Sequence, residues 1–140
     1  MAGNKIFLDT NVILDFLMAR EGELIEIEQI LNLTNRGLLD SFISESVICN
    51  SIYILEKEKK DTLKILRNLC TILKIIPFHI NVLHASVELF RDLEDGILFF
   101  LALEHKIDFF ITRNIRDFKN APSSLPVLTP KQFINHLHPQ

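Results

Sequence analysis

Hydrophobic and polar positions along the chain fall into two kinds of segment. Short apolar runs such as 6–8 lack polar alternation, which is typical of strands buried on both faces of a sheet. Longer segments repeat apolar side chains every three or four residues, which predicts helices. The predicted strands span residues 6–8, 38–43, 73–77, 108–112 and 126–128. The predicted helices are 11–19, 23–36, one of about 15 residues opened by Ser44, one capped by Asp61, 81–91, one from Asp92 or Leu93 to Lys106, and one opened by Thr129 and Pro130.

The same pattern predicts caps and inward faces. Thr10 is expected to cap the first helix, because a hydroxyl there can accept from a free amide of the first turn. The helices opened by Ser44 and Asp61 are each expected to bury one stripe. These stripes are Val47, Ile48, Ser51, Ile52 and Leu55 in the first, and Leu63, Leu66, Leu69 and Cys70 in the second. The two cysteines, Cys49 and Cys70, are predicted to be small buried apolar side chains with no disulfide between them.

Strands that alternate with helices predict the fold class. We expect an α/β protein, a three-layer α/β/α sandwich with a central, mostly parallel sheet of about five strands. No repeat, linker or charge block divides the 140 residues, so residues 1–140 are predicted to form a single domain. A chain of this length can bury enough surface to fold without a disulfide or a structural metal.

Composition and charge narrow the function classes. With 48% apolar and 24% charged residues, the chain is not of the disordered class. Its longest purely apolar run, 97–103, is too short to span a membrane, and no signal-peptide pattern opens the chain, so a cytoplasmic location is expected. The net charge of −3 gives no overall attraction to nucleic acid, so any RNA must be bound through local basic patches or metal ions.

The residues that follow each predicted strand lie at the end where ligands bind in parallel sheets, and most of them are polar. They are Asp9, Thr10 and Asn11 after the first strand, Ser44 after the second, Phe78 and His79 after the third, and Thr112, Arg113, Asn114, Arg116 and Asp117 after the fourth. Glu94 and Asp95 open the helix before the fourth strand. Any one of these is ordinary, since acids often cap helices. Together, their hard oxygen atoms suit Mg²⁺ or Mn²⁺, the ions used to cleave phosphodiesters.

Four segments of the chain resemble the PIN-domain family. They are IFLDTNVILD at 6–15, LED at 93–95 leading into a helix, DFFITRN at 108–114 with Asp117 and Phe118 beyond it, and LPVLTP at 125–130 followed by a helix. They occur in the family's order along essentially the whole chain, and the likeness is greatest to the short bacterial members that include VapC-type toxins. The resemblance implies an α/β/α sandwich with an acidic metal site that cleaves RNA with Mg²⁺ or Mn²⁺.

The resemblance assigns the acids residue by residue. Asp9 and Asp95 match two of the family's acids and are the predicted metal ligands, with Glu94 beside the second. Thr10 and Asn11 match the polar residues that support the first acid.

Two positions depart from the family. Asn50 and Asn114 stand where the family has acids, and Asp117 lies one helical turn after the second of them. An amide oxygen can coordinate a metal but brings no charge, so one metal ion is expected rather than two. The predicted catalytic residues are Asp9, Glu94, Asp95 and Asp117, and the predicted second shell or substrate contacts are Thr10, Asn11, Asn50, Thr112, Arg113 and Asn114.

A metal-dependent endoribonuclease is therefore predicted, the toxin of a toxin–antitoxin pair. Many small family members pair with an antitoxin and form homodimers, so both partners are expected here. The alternative is a catalytically impaired PIN-like domain that binds RNA or protein. Two other classes of protein fit the sequence poorly. A phosphotransfer receiver domain needs a phosphoacceptor Asp after a middle strand, and this chain has none there. A haloacid-dehalogenase-like phosphatase needs an acid at the position of Asn11.

Basic side chains for RNA come from two groups. Arg113, Arg116 and Lys119 flank the predicted site, and Arg113 is the best predicted phosphate clamp because its planar fork can grip two oxygens. The second group lies at a junction of two predicted helices. It consists of Lys57, Lys59, Lys60, Lys64 and Arg67.

Overall fold

Five parallel strands form one sheet in the computed structural model, which describes residues 4–138. In chain order the strands are β1 (Lys5–Leu8), β2 (Asp40–Ser44), β3 (Lys74–Ile76), β4 (Phe109–Ile111) and β5 (Val127–Leu128). Their spatial order is β3-β2-β1-β4-β5, and every neighbouring pair is parallel. The predicted α/β class and the five-stranded parallel sheet are confirmed.

Six α-helices connect and cover the strands. They are α1 (Thr10–Leu17), α2 (Leu24–Asn35), α3 (Glu45–Lys57), α4 (Thr62–Ile72), α5 (Leu93–Glu104) and α6 (Pro130–Leu137). Ser44 caps α3 as predicted, since its side chain accepts from the amide of Ser46 at 3.1 Å. Thr129 caps α6 in a capping box with Gln132. The predicted cap of α1 was wrong by one residue, because Asp9 and not Thr10 is the N-cap.

The predicted helix at 81–91 was wrong. This segment forms two short 3₁₀ helices, Ile80–His84 and Val87–Leu89. Its buried positions, Val82, Val87 and Phe90, are five and three residues apart. The extended backbone of Ala85, with φ −79° and ψ 171°, interrupts the segment between the two 3₁₀ helices.

Alternate side chains of β1 point into two separate cores. Ile6 and Leu8 pack with residues of α1, α2, α3, α4 and α6 on one face of the sheet. Phe7 packs on the other face with α5, the 3₁₀ segments and Phe110, whose ring stacks on that of Phe7 at 5.3 Å between centroids. Both faces of the sheet are therefore covered, as the apolar strands predict.

The inward stripes of α3 and α4 are narrower than predicted. α3 buries Val47, Ser51 and Leu55, which are four residues apart, while Ile52 is exposed. On α4, Leu66 and Leu69 are buried, and Leu63 and Cys70 are exposed.

The prediction that both cysteines are buried was wrong. Cys49 and Cys70 are free and exposed. Cys49 is two residues from the buried Val47 and Ser51, so it points away from the inward face of α3, because successive residues of a helix point about 100° apart. Cys70 lies at the edge of the face formed by Leu66 and Leu69, beyond the part of α4 that the core covers.

Candidate metal centre and its carboxylate cluster

The fold gathers the predicted polar residues at the carboxyl edge of the sheet. Asp9 follows β1 and Thr112 follows β4, and these two strands are neighbours. The backbone amide of Asp9 donates to the carbonyl of Ile111 at 2.9 Å, which extends the pairing of β1 and β4 by one residue. The amino end of α5 brings Asp92, Glu94 and Asp95 to the same edge.

Asp9 is the most enclosed acid of this cluster, with only 3% of its surface exposed. Its Oδ1 accepts from the backbone amide of Thr10 at 2.8 Å, and its Oδ2 accepts from Oγ1 of Thr112 at 2.9 Å. The pKa of Asp9 is raised from 3.8 to about 6, mainly by burial. The hydrogen bonds from Thr112 and Thr10 lower it, and the charges of Glu94 and Asp92 contribute to the rise. The carboxylate is therefore held in one orientation and is close to protonation at neutral pH.

Asp95 lies in the first turn of α5. Its pKa is raised from 3.8 to about 7, mainly by burial and then by the charges of Asp9, Asp92, Asp117 and Glu94. The five acids therefore share one field of negative charge. Such a field favours a bound cation, and pKa values shifted toward neutrality by burial and like charges are typical of functional sites.

Asp92 belongs to this cluster although the sequence indicated only a helix start there. Its Oδ1 accepts from the backbone amide of Asp95 at 3.2 Å, which makes it the N-cap of α5. Its second effect, the rise in the pKa of Asp9 and Asp95, comes from the tertiary placement of the α5 amino end. An acid at a helix start is usually a cap, so the sequence held no separate signal for that effect.

Asn114 connects Thr112 to Asp117. Its backbone amide donates to Oγ1 of Thr112 at 3.4 Å, and its side-chain amide donates to Oδ2 of Asp117 at 3.1 Å. Asp117 lies in a 3₁₀ helix, Ile115–Phe118, and is half-buried. The structure thus places Asn114 against an acid, as a hydrogen-bond donor.

The two remaining predicted amides occupy exposed positions. Asn11 is exposed in the first turn of α1. Asn50 is exposed on α3 and lines a cleft of about 720 Å³ whose walls also include Phe78, Glu94 and Ile97. The cleft brings Asn50 to the side of the cluster that Glu94 occupies.

Arg113 makes a contact that the sequence did not suggest. Its Nη1 donates to Oδ1 of Asp15 at 2.8 Å, and Nη1 of Arg20 lies 3.4 Å from the same oxygen. Asp15 is 6% exposed and was given no role from sequence. Its only signal was a charge within the apolar pattern of α1, which alone does not identify a partner.

The second basic group lies away from the cluster. α3 begins at the carboxyl edge, after β2, and runs 13 residues to Lys57, which is about 20 Å. Lys57, Lys59 and Lys60 therefore lie toward the opposite edge of the sheet.

The residues present fit a hard divalent cation of low ligand demand. Within residues 4–138, no three His, Cys, Asp or Glu side chains form a ready-made cation site. Mg²⁺ needs only one or two protein carboxylates and keeps several waters, and the Asp9 and Asp95 oxygens meet that demand. The buried Oγ1 of Thr10, next to Asp9, has no hydrogen-bond partner in the described part of the chain, which leaves one more oxygen at this position.

No helix among the described residues is long and apolar enough to cross a membrane.

Comparison with known proteins covers nearly the whole chain. The sequence is 29% identical to Ribonuclease VapC1 of Aquifex aeolicus, over 95% of each protein. The fold is similar to a chain of the VapBC2 complex of Rickettsia felis bound to promoter DNA, with a TM-score of 0.66, 20% identity, and 88% of this chain and 96% of that chain covered. It is equally similar to a chain of a toxin–antitoxin complex from Klebsiella pneumoniae, with a TM-score of 0.66, 25% identity, and 89% and 97% of the two chains covered.

The family assignment rests on a longer match than any single motif provides. The PIN-domain model matches residues 5–116, which runs from β1 through β4 and includes Asp9, Asp95 and Asn114. The chain belongs to the PIN-domain family.

Proposed function

We propose that this protein is a metal-dependent endoribonuclease, the toxin of a toxin–antitoxin pair. The observation that carries the proposal is the carboxylate cluster at the carboxyl edge of a parallel sheet, in which the charge of Asp9 raises the pKa of Asp95. The similarity to Ribonuclease VapC1 over 95% of both proteins supports RNA as the substrate.

Asp9 and Asp95 would hold one Mg²⁺ or Mn²⁺ ion. When bound, that ion supplies charge for the scissile phosphate and makes a water molecule more acidic. Thr112 keeps the Asp9 carboxylate in one orientation through its hydroxyl. A donor of this kind preserves the geometry of a ligand and typically changes metal affinity or activity by about 10–100-fold when removed.

Asp117 is the proposed proton acceptor for the attacking water. The Asn114 amide donates to one of its oxygens at 3.1 Å and leaves the other oxygen open. Glu94, exposed in the first turn of α5, is the other candidate. Asn114 therefore has a role that does not require it to be an acid, since it orients the acid one turn further along.

The two candidates can be separated by isosteric variants. Asp117→Asn should lower the cleavage rate about 100-fold or more, the usual worth of a positioned general base, and flatten the pH–rate profile. Glu94→Gln should lower the rate by less than about tenfold, because Glu94 contributes charge only. Single-turnover cleavage of a fluorescent RNA measures both. The reverse order of effects would assign the proton acceptor to Glu94.

We also propose that the protein binds an antitoxin protein, that it forms a homodimer and that it is located in the cytoplasm. The Klebsiella pneumoniae chain of similar fold comes from a toxin–antitoxin complex, which supports a protein partner here.

Cleavage of a mixed RNA pool tests the proposal directly. The purified protein is incubated with Mg²⁺, with Mn²⁺ and with EDTA, and Asp95→Asn is run beside it. We expect cleavage that needs the metal and falls about 100-fold or more in the variant, because one of two ligand charges is lost. Asp40→Asn is the matched control, since Asp40 begins β2 and pairs with Lys74 at 3.1 Å, away from the cluster.

The outcome decides between the two functions. No cleavage by the folded, antitoxin-free protein, together with no metal binding by calorimetry, would support the catalytically impaired binding domain. Equal activity of Asp95→Asn and Asp40→Asn would remove Asp95 from the site.

A further inference from the structure

We propose that Asp15 is a positioning residue, which holds Arg113 and thereby keeps the Thr112 hydroxyl on Asp9. The inference deepens the proposed nuclease function and rests on it for its effect on catalysis. It assigns a role to an ion pair that lies outside the carboxylate cluster.

Two contacts join the same two segments of the chain. Thr112 donates to Asp9 at 2.9 Å, and the next residue, Arg113, donates to Asp15 at 2.8 Å. Asp9 is the N-cap of α1, and Asp15 lies within the same helix. The segment after β4 is therefore attached to α1 at two points, one at the helix cap and one near its other end.

Both attachment points on α1 are buried acids. Asp9 is 3% exposed and Asp15 is 6% exposed, whereas half of the Arg113 side chain is exposed. A charged hydrogen bond to a buried carboxylate is stronger than one between neutral groups, and it fixes the donor's direction. Breaking it leaves the buried Asp15 carboxylate with only a longer contact to Arg20, which is unfavourable. The segment 112–114 therefore has one preferred position relative to α1.

Arg20 shares the Asp15 carboxylate but not the connection. Its Nη1 lies 3.4 Å from Oδ1, a longer contact than that of Arg113, and Arg20 lies in the turn just beyond the end of α1. The Arg20 contact therefore connects α1 only to the turn that follows the same helix. It is therefore a matched control, a second arginine on the same carboxylate with no connection to Thr112.

The surroundings of the Arg113 side chain also indicate a structural role, beside the carboxylate cluster and not within it. Arg113 and Asp15 line a small cavity of about 80 Å³ together with Glu21, Gly22 and Glu23. Its walls include none of the carboxylates of the cluster. The guanidinium lies toward the loop between α1 and α2.

The test compares Asp15→Asn, Arg113→Ala, the double variant and Arg20→Ala. Amide hydrogen exchange of residues 112–114, measured by NMR on the metal-free protein, reports the position of the segment without any catalytic step. We expect at least a tenfold faster exchange in Asp15→Asn and Arg113→Ala, no further increase in the double variant, and no change in Arg20→Ala. Arg113→Lys should restore most of the protection, because a single N–H contact joins the pair.

Kinetics then separate positioning from substrate binding. Both single variants should lower kcat about tenfold with KM within about twofold, and the double variant should be no worse, because residues that act as one unit are not additive. A rise in KM confined to Arg113→Ala, with Asp15→Asn unchanged, would make Arg113 a phosphate ligand and overturn the proposal. Additive losses, or unchanged exchange in Asp15→Asn, would also overturn it. If the wild type cleaves no RNA, the exchange measurement still tests the ion pair.

Discussion

At the residue scale, burial and the charges of neighbouring acids set the chemistry of Asp9 and Asp95. Asp9 is enclosed at the end of β1 and Asp95 adds the charges of four neighbours to its own burial. With pKa values of about 6 and about 7, Asp9 is mostly ionised at neutral pH and Asp95 is partly protonated, so a bound cation would displace a proton mainly from Asp95. The sequence identified both acids, but their raised pKa values result from the groups that surround them in the fold.

The metal-free protein should become more stable as the pH falls. The folded chain binds protons on Asp9 and Asp95 up to about pH 6 and about pH 7, whereas the unfolded chain releases them near 3.8. This stabilisation is complete below the unfolded value and is lost as the pH rises through 6 and 7. In EDTA, these two groups should therefore raise the Tm of the protein as the pH is lowered from roughly 8 to roughly 5.

Asp95→Asn provides the comparison for this pH dependence. The neutral amide removes the repulsion, so the variant should be more stable than the wild type at about pH 8 and its Tm should change less with pH. Scanning calorimetry at a series of pH values measures both. The pH assignment is contradicted if wild type and variant have the same profile.

At the element scale, close packing at α5 explains a glycine within a helix. A Cβ at Gly96 would lie 2.9 Å from the Val87 carbonyl oxygen and 3.1 Å from a ring carbon of Phe90. The contact atom of Val87 is backbone, so it can move only with its 3₁₀ helix. The amino end of α5, which carries Asp92 and Asp95, is therefore seated against the segment that replaces the predicted helix at 81–91.

Gly96→Ala should destabilise the protein. Overpacking costs about 1–3 kcal/mol, which exceeds the roughly 1 kcal/mol that alanine gains over glycine in a helix. Urea unfolding followed by circular dichroism measures the change.

Ser51→Ala is the companion variant, and it should change the free energy of unfolding in the opposite direction. The Ser51 hydroxyl on α3 is buried, with no hydrogen-bond partner in the described part of the chain. Its removal should stabilise the protein by about 1 kcal/mol, since an unpaired buried polar group is unfavourable. Equal destabilisation by both variants would contradict this account of the packing.

At the scale of the whole molecule, the sheet separates two groups of positive charge. Arg116 and Lys119 follow β4 at the carboxyl edge, close to Asp117. Lys57, Lys59 and Lys60 are carried toward the opposite edge by the length of α3. That distance of about 20 Å exceeds the range of about 8 Å over which charges act in physiological salt.

Neutralising the two groups should therefore have different effects on RNA cleavage. Changing Arg116 and Lys119 to Gln should raise KM about tenfold or more, because phosphate contacts near the cleaved bond are lost. Changing Lys57, Lys59 and Lys60 to Gln should leave KM within about threefold. Steady-state cleavage at two salt concentrations measures both, and a larger effect of the lysines would extend the RNA path across α3.

The sequence by itself determined the class of the fold and identified the acids at the centre of the candidate site. Apolar strands without alternation required a sheet covered on both faces, and Asp9, Glu94, Asp95, Thr112 and Asp117 followed from where strands end and helices begin. These are local signals, carried by neighbours in the chain.

Only the tertiary structure decided which distant side chains meet. The pairing of Arg113 with Asp15, the part that Asp92 takes in the acid cluster, and the 3₁₀ turns at 80–89 depend on contacts between segments far apart in sequence. The exposure of Cys49 and Cys70 depends on which face of each helix the core covers. A pattern along the chain gives each residue's own preference, but burial, ion pairing and pKa are set by the groups that the fold brings alongside it.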